Sequence, residues 1–322
     1  MKTILAYRFS AFGDVAMLAS VFREFVSQNP EVQIIMVSRE NFKDLFNGIP
    51  NLVFKGVHIE DYNGIFGLRK LARQLKSEFN PDYIADFHDV IRTKILNKIF
   101  FRHRYKIFVL DKGKEEKENL TDVWKIDKKP IKKTVERYAD VFREMGFPLT
   151  LSHQYPVSQK EKSGIGFAPF AQHKGKILSL EKSFEVAKIL AQHHKIYFFG
   201  GGKKETEILN QWEKEIPNSE NLAGKMTLQQ ELDKISELKL MISMDSANMH
   251  LASLMGTRCV SIWGSTHPFA GFLGYGQSEN DVVQIKDLTC RPCSVFGDKE
   301  CYRGDYACLE EISVQQIIDK IL

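Results

Sequence analysis

Four short stretches hold residue types that can do chemistry, and each follows an apolar run of strand length. The densest is Asp245-Ser246-Ala247-Asn248-Met249-His250-Leu251-Ala252, behind residues 238–244. Ser246 and His250 are four apart, so a helix that starts here presents a hydroxyl and an imidazole on one face. Its first backbone amides add positive potential. The next apolar run, 259–263, ends in Gly264-Ser265-Thr266-His267-Pro268, a second small polar loop. The plain alternative for a lone histidine at helical spacing is a satisfied core residue, but Asp245 and Ser246 beside it favour a site.

The other three stretches are weaker singly. Ala168-Pro169-Phe170-Ala171-Gln172-His173-Lys174-Gly175-Lys176 carries lysines into a helix near Leu180, and ammonium groups with a helix start suit phosphate. Phe199-Gly200-Gly201-Gly202-Lys203-Lys204-Glu205 lets backbone approach a ligand closely, with Glu205 able to accept two ribose hydroxyls. Ser10-Ala11-Phe12-Gly13-Asp14 has one glycine where a dinucleotide fingerprint has three. Its Asp14 falls in the first turn of a helix, where the dipole favours the ionised form. A carboxylate there serves as a general base or as an ordinary cap. An ordinary surface loop and a tight turn are the plain readings of the lysine and glycine stretches.

These loops need a scaffold, and the chain alternates short apolar runs with helical-period segments. That pattern signals βαβ units and parallel sheets. Strands are expected at 3–7, 33–38, 52–57, 83–87 and 106–110, with amphipathic helices at 15–26 and 66–79. The polar run DKGKEEKENLTD around residue 115 is expected to be a mobile loop, followed by a helix at 133–145. The segment GFPLTLSHQYPVSQKEKS then separates two halves, 1–155 and 156–322, and the second repeats the alternation with strands at 164–168, 195–199, 238–244, 259–263 and 281–285. The fold class expected is α/β, with two doubly wound, Rossmann-like domains facing each other across a cleft. In such sheets ligands sit outside the carboxyl ends of the strands, where all four stretches lie.

Bulk properties narrow the classes. A chain of 322 residues with 43% hydrophobic and 27% charged residues has material for two ordinary globular cores. A net charge of +4 does not call for nucleic acid. Residues 92–137 nevertheless carry 15 Lys or Arg against 7 Asp or Glu, either a solvated surface or a basic face for an anionic partner such as phosphorylated lipid or a membrane. No run approaches the roughly 18 apolar residues of a membrane span, and the first residues lack a signal-peptide layout. A cytoplasmic protein is expected. Cys290, Cys293, Cys301 and Cys308 cluster late in the chain. One C-x-x-C suggests zinc, but the wider second spacing leaves redox-labile thiols and packed free cysteines open.

Taken together, the loops resemble glycosyltransferase family 9, the ADP-heptose:lipopolysaccharide heptosyltransferases, over nearly the whole chain. Arg8, Ser10, Gly13 and Asp14 reproduce the family's R-x-S-x-x-G-D after the first strand. Residues 245–252 match D-[ST]-G-x-x-H-L-A, and 260–268 match V-x-[LIV]-x-G-x-T-x-P. The resemblance implies a GT-B arrangement, with the acceptor in the first domain and the nucleotide-sugar donor in the second. It makes Asp14 the base, puts Gln172 and Lys176 on the diphosphate, Glu205 on the ribose and Met226 near adenine. Asp245, Ser246, Ala247 and His250 would line sugar and phosphates. Ser10, Gly13, His88 and Arg92 would form the acceptor side.

The implied reaction is inverting transfer of a heptose from an ADP-sugar to a phosphorylated, lipid-linked lipopolysaccharide core, with peripheral contact at the inner membrane. No cofactor or metal is expected, as no D-x-D is placed to hold one. Ala247 stands where the family has glycine, and Gln172 where threonine or serine is frequent. Both bear on the donor sugar more than on the reaction type. Transfer of another activated sugar to a different surface glycan, or nucleotide-sugar binding without turnover, are the alternatives.

Overall fold

The computed structural model describes residues 1–157 and 160–322. The chain forms two compact units, Met1–Lys112 with Thr134–Ser152, and Gly113–Lys133 with His153–Leu322. The sequence expectation put a single division at 155/156. Instead, residues 113–133 group with the second unit, so the chain passes from one unit to the other three times. Two contacts account for this: Ile131 N–H donates to the Phe269 carbonyl at 3.0 Å, and the Lys117 ammonium lies 4.9 Å from the Phe272 ring centroid.

The first unit is built on a five-stranded parallel sheet in the order β3-β2-β1-β4-β5. The strands are β1 (Lys2–Tyr7), β2 (Val32–Arg39), β3 (Leu52–Val57), β4 (Tyr83–Asp86) and β5 (Lys106–Val109). Apolar runs such as Ile4-Leu5-Ala6-Tyr7 are buried throughout, as a sheet covered on both faces requires. One face is covered by α1 (Phe12–Gln28) and α5 (Thr134–Glu144), whose Phe25 and Phe142 rings stack at 3.9 Å. The other is covered by α2 (Gly64–Phe79), through the stripe Leu68, Leu71, Ala72 and Leu75. After β4 comes a short helix, α3 (Ile91–Ile95), continued by a π-helical turn, Leu96–Phe101.

The expected mobile loop around residue 115 contains a helix, α4 (Lys114–Leu120). Gly113 turns into it at positive φ, Glu115 and Glu116 complement its N-terminus, and Leu120 is buried. The polar composition that argued for a loop is that of a solvated helix with one anchoring residue.

The second unit carries six parallel strands in the order β11-β10-β9-β6-β7-β8. They are β6 (Ile165–Ala168), β7 (Ile196–Phe198), β8 (Ser219–Asn221), β9 (Leu240–Met244), β10 (Cys259–Ile262) and β11 (Val282–Val283). From the β8 edge this is the 3-2-1-4-5-6 order of dinucleotide-binding sheets. The helices are α6 (Leu180–Leu190), α7 (Gly202–Glu215), α8 (Leu228–Glu237), α9 (Ala247–Leu254), α10 (Ala307–Glu310) and α11 (Val314–Ile318). Strand β8 has no apolar run, since Ser-Glu-Asn is held at the edge by pairing with β7 alone. The expected strand at 281–285 is reduced to Val282 and Val283, which pair with Ser261 and Ile262 of β10. Among the described residues no helix is long and apolar enough to cross a membrane.

Candidate functional site

The order of each sheet reverses at one point, between β1 and β4 in the first unit and between β6 and β9 in the second. The carboxyl ends flanking such a point are where open α/β sheets bind ligands. Those ends carry Arg8–Asp14 and Asp86–Asp89 in one unit, and residues 169–176 and 245–250 in the other.

In the first unit Asp14 is the third residue of α1. Its helix is preceded by Ala11, which makes no side-chain cap. The carboxylate faces its neighbours instead: Arg8 Nη2 lies 2.7 Å from Oδ2, and the Tyr138 hydroxyl donates to Oδ1 at 3.2 Å. The capping alternative is therefore displaced. Arg8 is buried and also donates to the Phe87 carbonyl. Burial works against its charge, but Tyr138 and Asp14 outweigh it and leave the guanidinium above its ordinary value. Asp14 is thus oriented through both oxygens, with lone pairs to spare.

Ser10 Oγ lies 3.1 Å from His88 Nε2. Both line a cavity of about 780 Å³ together with Arg92, Lys94 and the apolar Ile65 and Ile91. Gly13 is the second residue of α1. The loop that presents His88 is tied by Asp86, which accepts from the His88 and Asp89 amides at 2.9 and 2.8 Å and from the Asn97 side chain at 2.7 Å. Burial, with Arg8 and Lys112 nearby, pushes His88 down to about 4, so the imidazole is neutral at pH 7. An unfolded histidine near 6.5 binds a proton that the folded one refuses between those values. Folded stability therefore falls as pH drops from about 6.5 to 4, by about 2 kcal/mol at pH 5 from this residue. His267 is likewise held near 4 by burial, so the two must be separated. His88→Gln is expected to lose less Tm than the wild type between pH 7 and pH 5, measured by thermal unfolding.

In the second unit Lys176 Nζ lies 3.0 Å from Asp245 Oδ2, and Thr266 Oγ1 donates to the same oxygen at 2.8 Å. Lys176 closes a 3₁₀ turn, Lys174–Lys176, and the turn is strapped to the loop after β10 by a Ser265 N–H donating to the Gly175 carbonyl at 2.8 Å. The approach is close: a Cβ on Gly264 would stand 2.4 Å from that carbonyl oxygen. A Cβ on Gly297, at φ +78°, would meet the Lys176 side chain at 2.5 Å. Glycine at these two positions lets the lysine lie where it does.

Asp245 is buried and serves as the partner of Lys176. Ser246 is the N-cap of α9, with extended backbone, and its Oγ lies 3.1 Å from Ser243 Oγ. Ser246 is thus the boundary residue of α9, four positions before His250, and its hydroxyl turns toward Ser243. Ala247 opens α9, and His250 is buried one turn on. Gln172 is exposed on the loop before the lysine turn. Glu205 caps α7, accepting from the Gly201 amide at 2.7 Å. Met226 lines a small cavity with Phe199, Gly200, Gly224 and Glu231.

Three residues outside the expected set carry the geometry. Tyr138 reaches Asp14 from far along the chain, with no sequence signal. Glu231 lines the Met226 cavity, and burial pushes its carboxyl above the usual range. Arg291 is buried and donates to the carbonyls of Gly264, Trp263 and Thr266, the last two at 3.2 and 2.8 Å. It therefore fixes the loop that holds Thr266 against Asp245. The C-x-x-C around it was the one sequence hint. All five cysteines are free thiols, and Cys290, Cys293, Cys301 and Cys308 line one small cavity beside Arg291. Among the described residues, no three His, Cys, Asp or Glu side chains are arranged to hold a metal.

Residues 68–302 match the model of glycosyltransferase family 9 (heptosyltransferase). The chain belongs to this family. A lipooligosaccharide heptosyltransferase 2 of Campylobacter jejuni is 25% identical over 317 residues, covering 96% of this chain and 95% of that protein. The fold is shared with a family 9 glycosyltransferase from Veillonella parvula, at TM-score 0.72, 19% identity and coverage of 99% and 96% of the two chains. It is also shared with E. coli ADP-heptose lps heptosyltransferase II, at TM-score 0.70, 20% identity and coverage of 100% and 97%. The GT-B class expected from the loops is therefore the class of this family 9 glycosyltransferase. The two loop clusters at the sheet reversals hold the expected residues Asp14 and His88 in one unit and Lys176 and Asp245 in the other.

Proposed function

We propose that this glycosyltransferase moves a heptose from ADP-heptose to a lipopolysaccharide or lipooligosaccharide core, with inversion and without a required metal. The observation that carries the reading is the pair of charge clusters at the two sheet reversals: an oriented carboxylate in one unit, a braced lysine in the other. Of the similar proteins named above, the Campylobacter jejuni one is named a lipooligosaccharide heptosyltransferase and the E. coli one an ADP-heptose lps heptosyltransferase.

The acceptor hydroxyl gives its proton to Asp14 as its oxygen bonds to the anomeric carbon. The bond from that carbon to the β-phosphate oxygen breaks, and ADP leaves with the electron pair from the opposite face. Lys176 and the amides at the start of α9 stabilise the departing diphosphate by preorganised positive potential. Gln172, Ser246, Ala247 and His250 complete the donor side, and Glu205 offers the carboxylate oxygen not bonded to Gly201 to the ribose. Ser10, Gly13, His88 and Arg92 receive the acceptor.

Adenine would lie near Met226, against the small cavity that Glu231 also lines. There a carboxyl oxygen of Glu231 accepts from the exocyclic amino group, an interaction a uracil cannot return. Glu231→Leu is expected to weaken ADP about tenfold or more, by calorimetric titration, whereas UDP affinity stays as it was. Equal losses for both nucleotides would remove Glu231 from base selection.

The test of the whole reading is a donor panel, with ADP-heptose, UDP-, GDP- and CMP-sugars offered with a heptose-deficient core acceptor, with and without EDTA. Turnover with ADP-heptose alone, an inverted anomeric centre by NMR and no effect of EDTA are expected. Turnover with a UDP- or GDP-sugar instead would replace the donor. Nucleotide binding without turnover for every sugar would leave a binding protein.

A further inference from the structure

We propose that the exposed side of α2 and α3 in the first unit docks on an anionic lipid bilayer. Four large apolar side chains stand in solvent here, Ile65 (50% exposed), Phe66 (81%), Ile91 (80%) and Ile99 (46%). Ile65 and Ile91 line the same cavity, which places the start of α2 beside the start of α3. Ile91 lies on α3 and Ile99 on its π-helical continuation, while Ile95 between them packs partly against the core. Single exposed apolar residues need no explanation, but two at a cavity mouth with two more on the same adjoining helices mark an interaction surface.

The charge around them identifies the partner. On α2 the buried stripe is Leu68, Leu71, Ala72 and Leu75. The opposite stripe, with the same spacing, is Phe66, Arg69, Lys70 and Arg73, all exposed. Residues 64–104 hold nine Lys or Arg against four Asp or Glu. Of those four acids, Asp86 is buried, Asp89 is paired with Lys94 at 3.2 Å and Glu78 with Lys55 at 2.7 Å. Aromatic and aliphatic side chains interleaved with cations fit an interface of acyl chains under anionic headgroups. An acidic protein would complement the cations but leave the apolar tips without a counterpart.

The surface borders the cavity that holds Ser10, His88 and Arg92. Docking would therefore bring the candidate acceptor site to the headgroup level, and in this the inference rests on the lipid-linked acceptor proposed above. Two exposed pairs outside that cavity test it, Phe66→Ser with Ile99→Ser, and Arg69→Glu with Arg73→Glu. The full chain is sedimented with vesicles of phosphatidylcholine alone or mixed with phosphatidylglycerol. Binding to the mixed vesicles that weakens with salt, and a loss of about tenfold or more in each double variant at unchanged Tm, are expected. Wild-type chain left in the supernatant, binding indifferent to lipid charge, or double variants that bind like wild type would overturn it. Binding to poly-glutamate but not to the vesicles would do the same, in favour of an acidic protein. Transfer to a delipidated, water-soluble core is measured in parallel. Both variants should retain it, and its absence in wild type would count against the proposed reaction, not against docking.

Discussion

Asp14→Asn is expected to lower kcat by a factor of about 10³ while ADP affinity is unchanged. The amide keeps the shape of the carboxylate but cannot take a proton from the attacking hydroxyl. The difficulty with any such variant is structural. Arg8 lies 2.7 Å away, and its side chain is 8% exposed against 19% for Asp14. Removing the anion strands a buried cation, which costs about 3 kcal/mol. A fall in activity could then reflect a weakened first unit. The double variant Arg8→Met, Asp14→Asn separates the two effects. It removes both charges, and stability should return toward wild type, measured as Tm, while turnover stays lost. Recovery of turnover in the double variant would show that Asp14 serves Arg8 and not the acceptor. Steady-state release of ADP and calorimetric binding of ADP give the two readouts.

The second large effect is expected at Lys176. Lys176→Met should lower kcat by about 10² to 10³, the range for removing one preorganised group that stabilises developing negative charge. The lysine is held ready: Asp245 and Thr266 meet at one oxygen below it, and Arg291 fixes the Thr266 loop. Asp245→Asn should fall between Lys176→Met and wild type, because the ammonium keeps its charge and loses only its position. The comparison is made on kcat and on KM for the donor. Equal kcat in Lys176→Met and wild type, with only KM raised, would mean that Lys176 binds the donor uniformly and does nothing further as the diphosphate leaves.

Much of the fold was legible because local composition decides it. A strand buried on both faces must be an apolar run, and β1, β2 and β9 are such runs. A helix covering a sheet must carry a stripe, and α2 does. Failures occurred where composition and position disagree. Strand β8, Ser219–Asn221, is polar and held by one neighbour. Helix α4, in the Lys- and Glu-rich run, is anchored by a single leucine, which periodicity cannot distinguish from none. The paths of residues 113–133 and 153–157 followed contacts with distant loops, which no linker composition reveals.

The sequence by itself determined that the chain is two α/β sheets with polar loops at strand ends, and which loops those are. Their motifs also pointed to the family. Only the tertiary structure decided which strands lie side by side, and hence that the Asp14 and His88 loops flank one reversal and the Lys176 and Asp245 loops the other. It also decided what each charge meets. Tyr138 is 124 residues from Asp14, and Arg291 is 27 from Gly264. The physical reason is that strand pairing and buried-charge pairing are choices among distant partners. The energy of each choice comes from groups absent from the local sequence window.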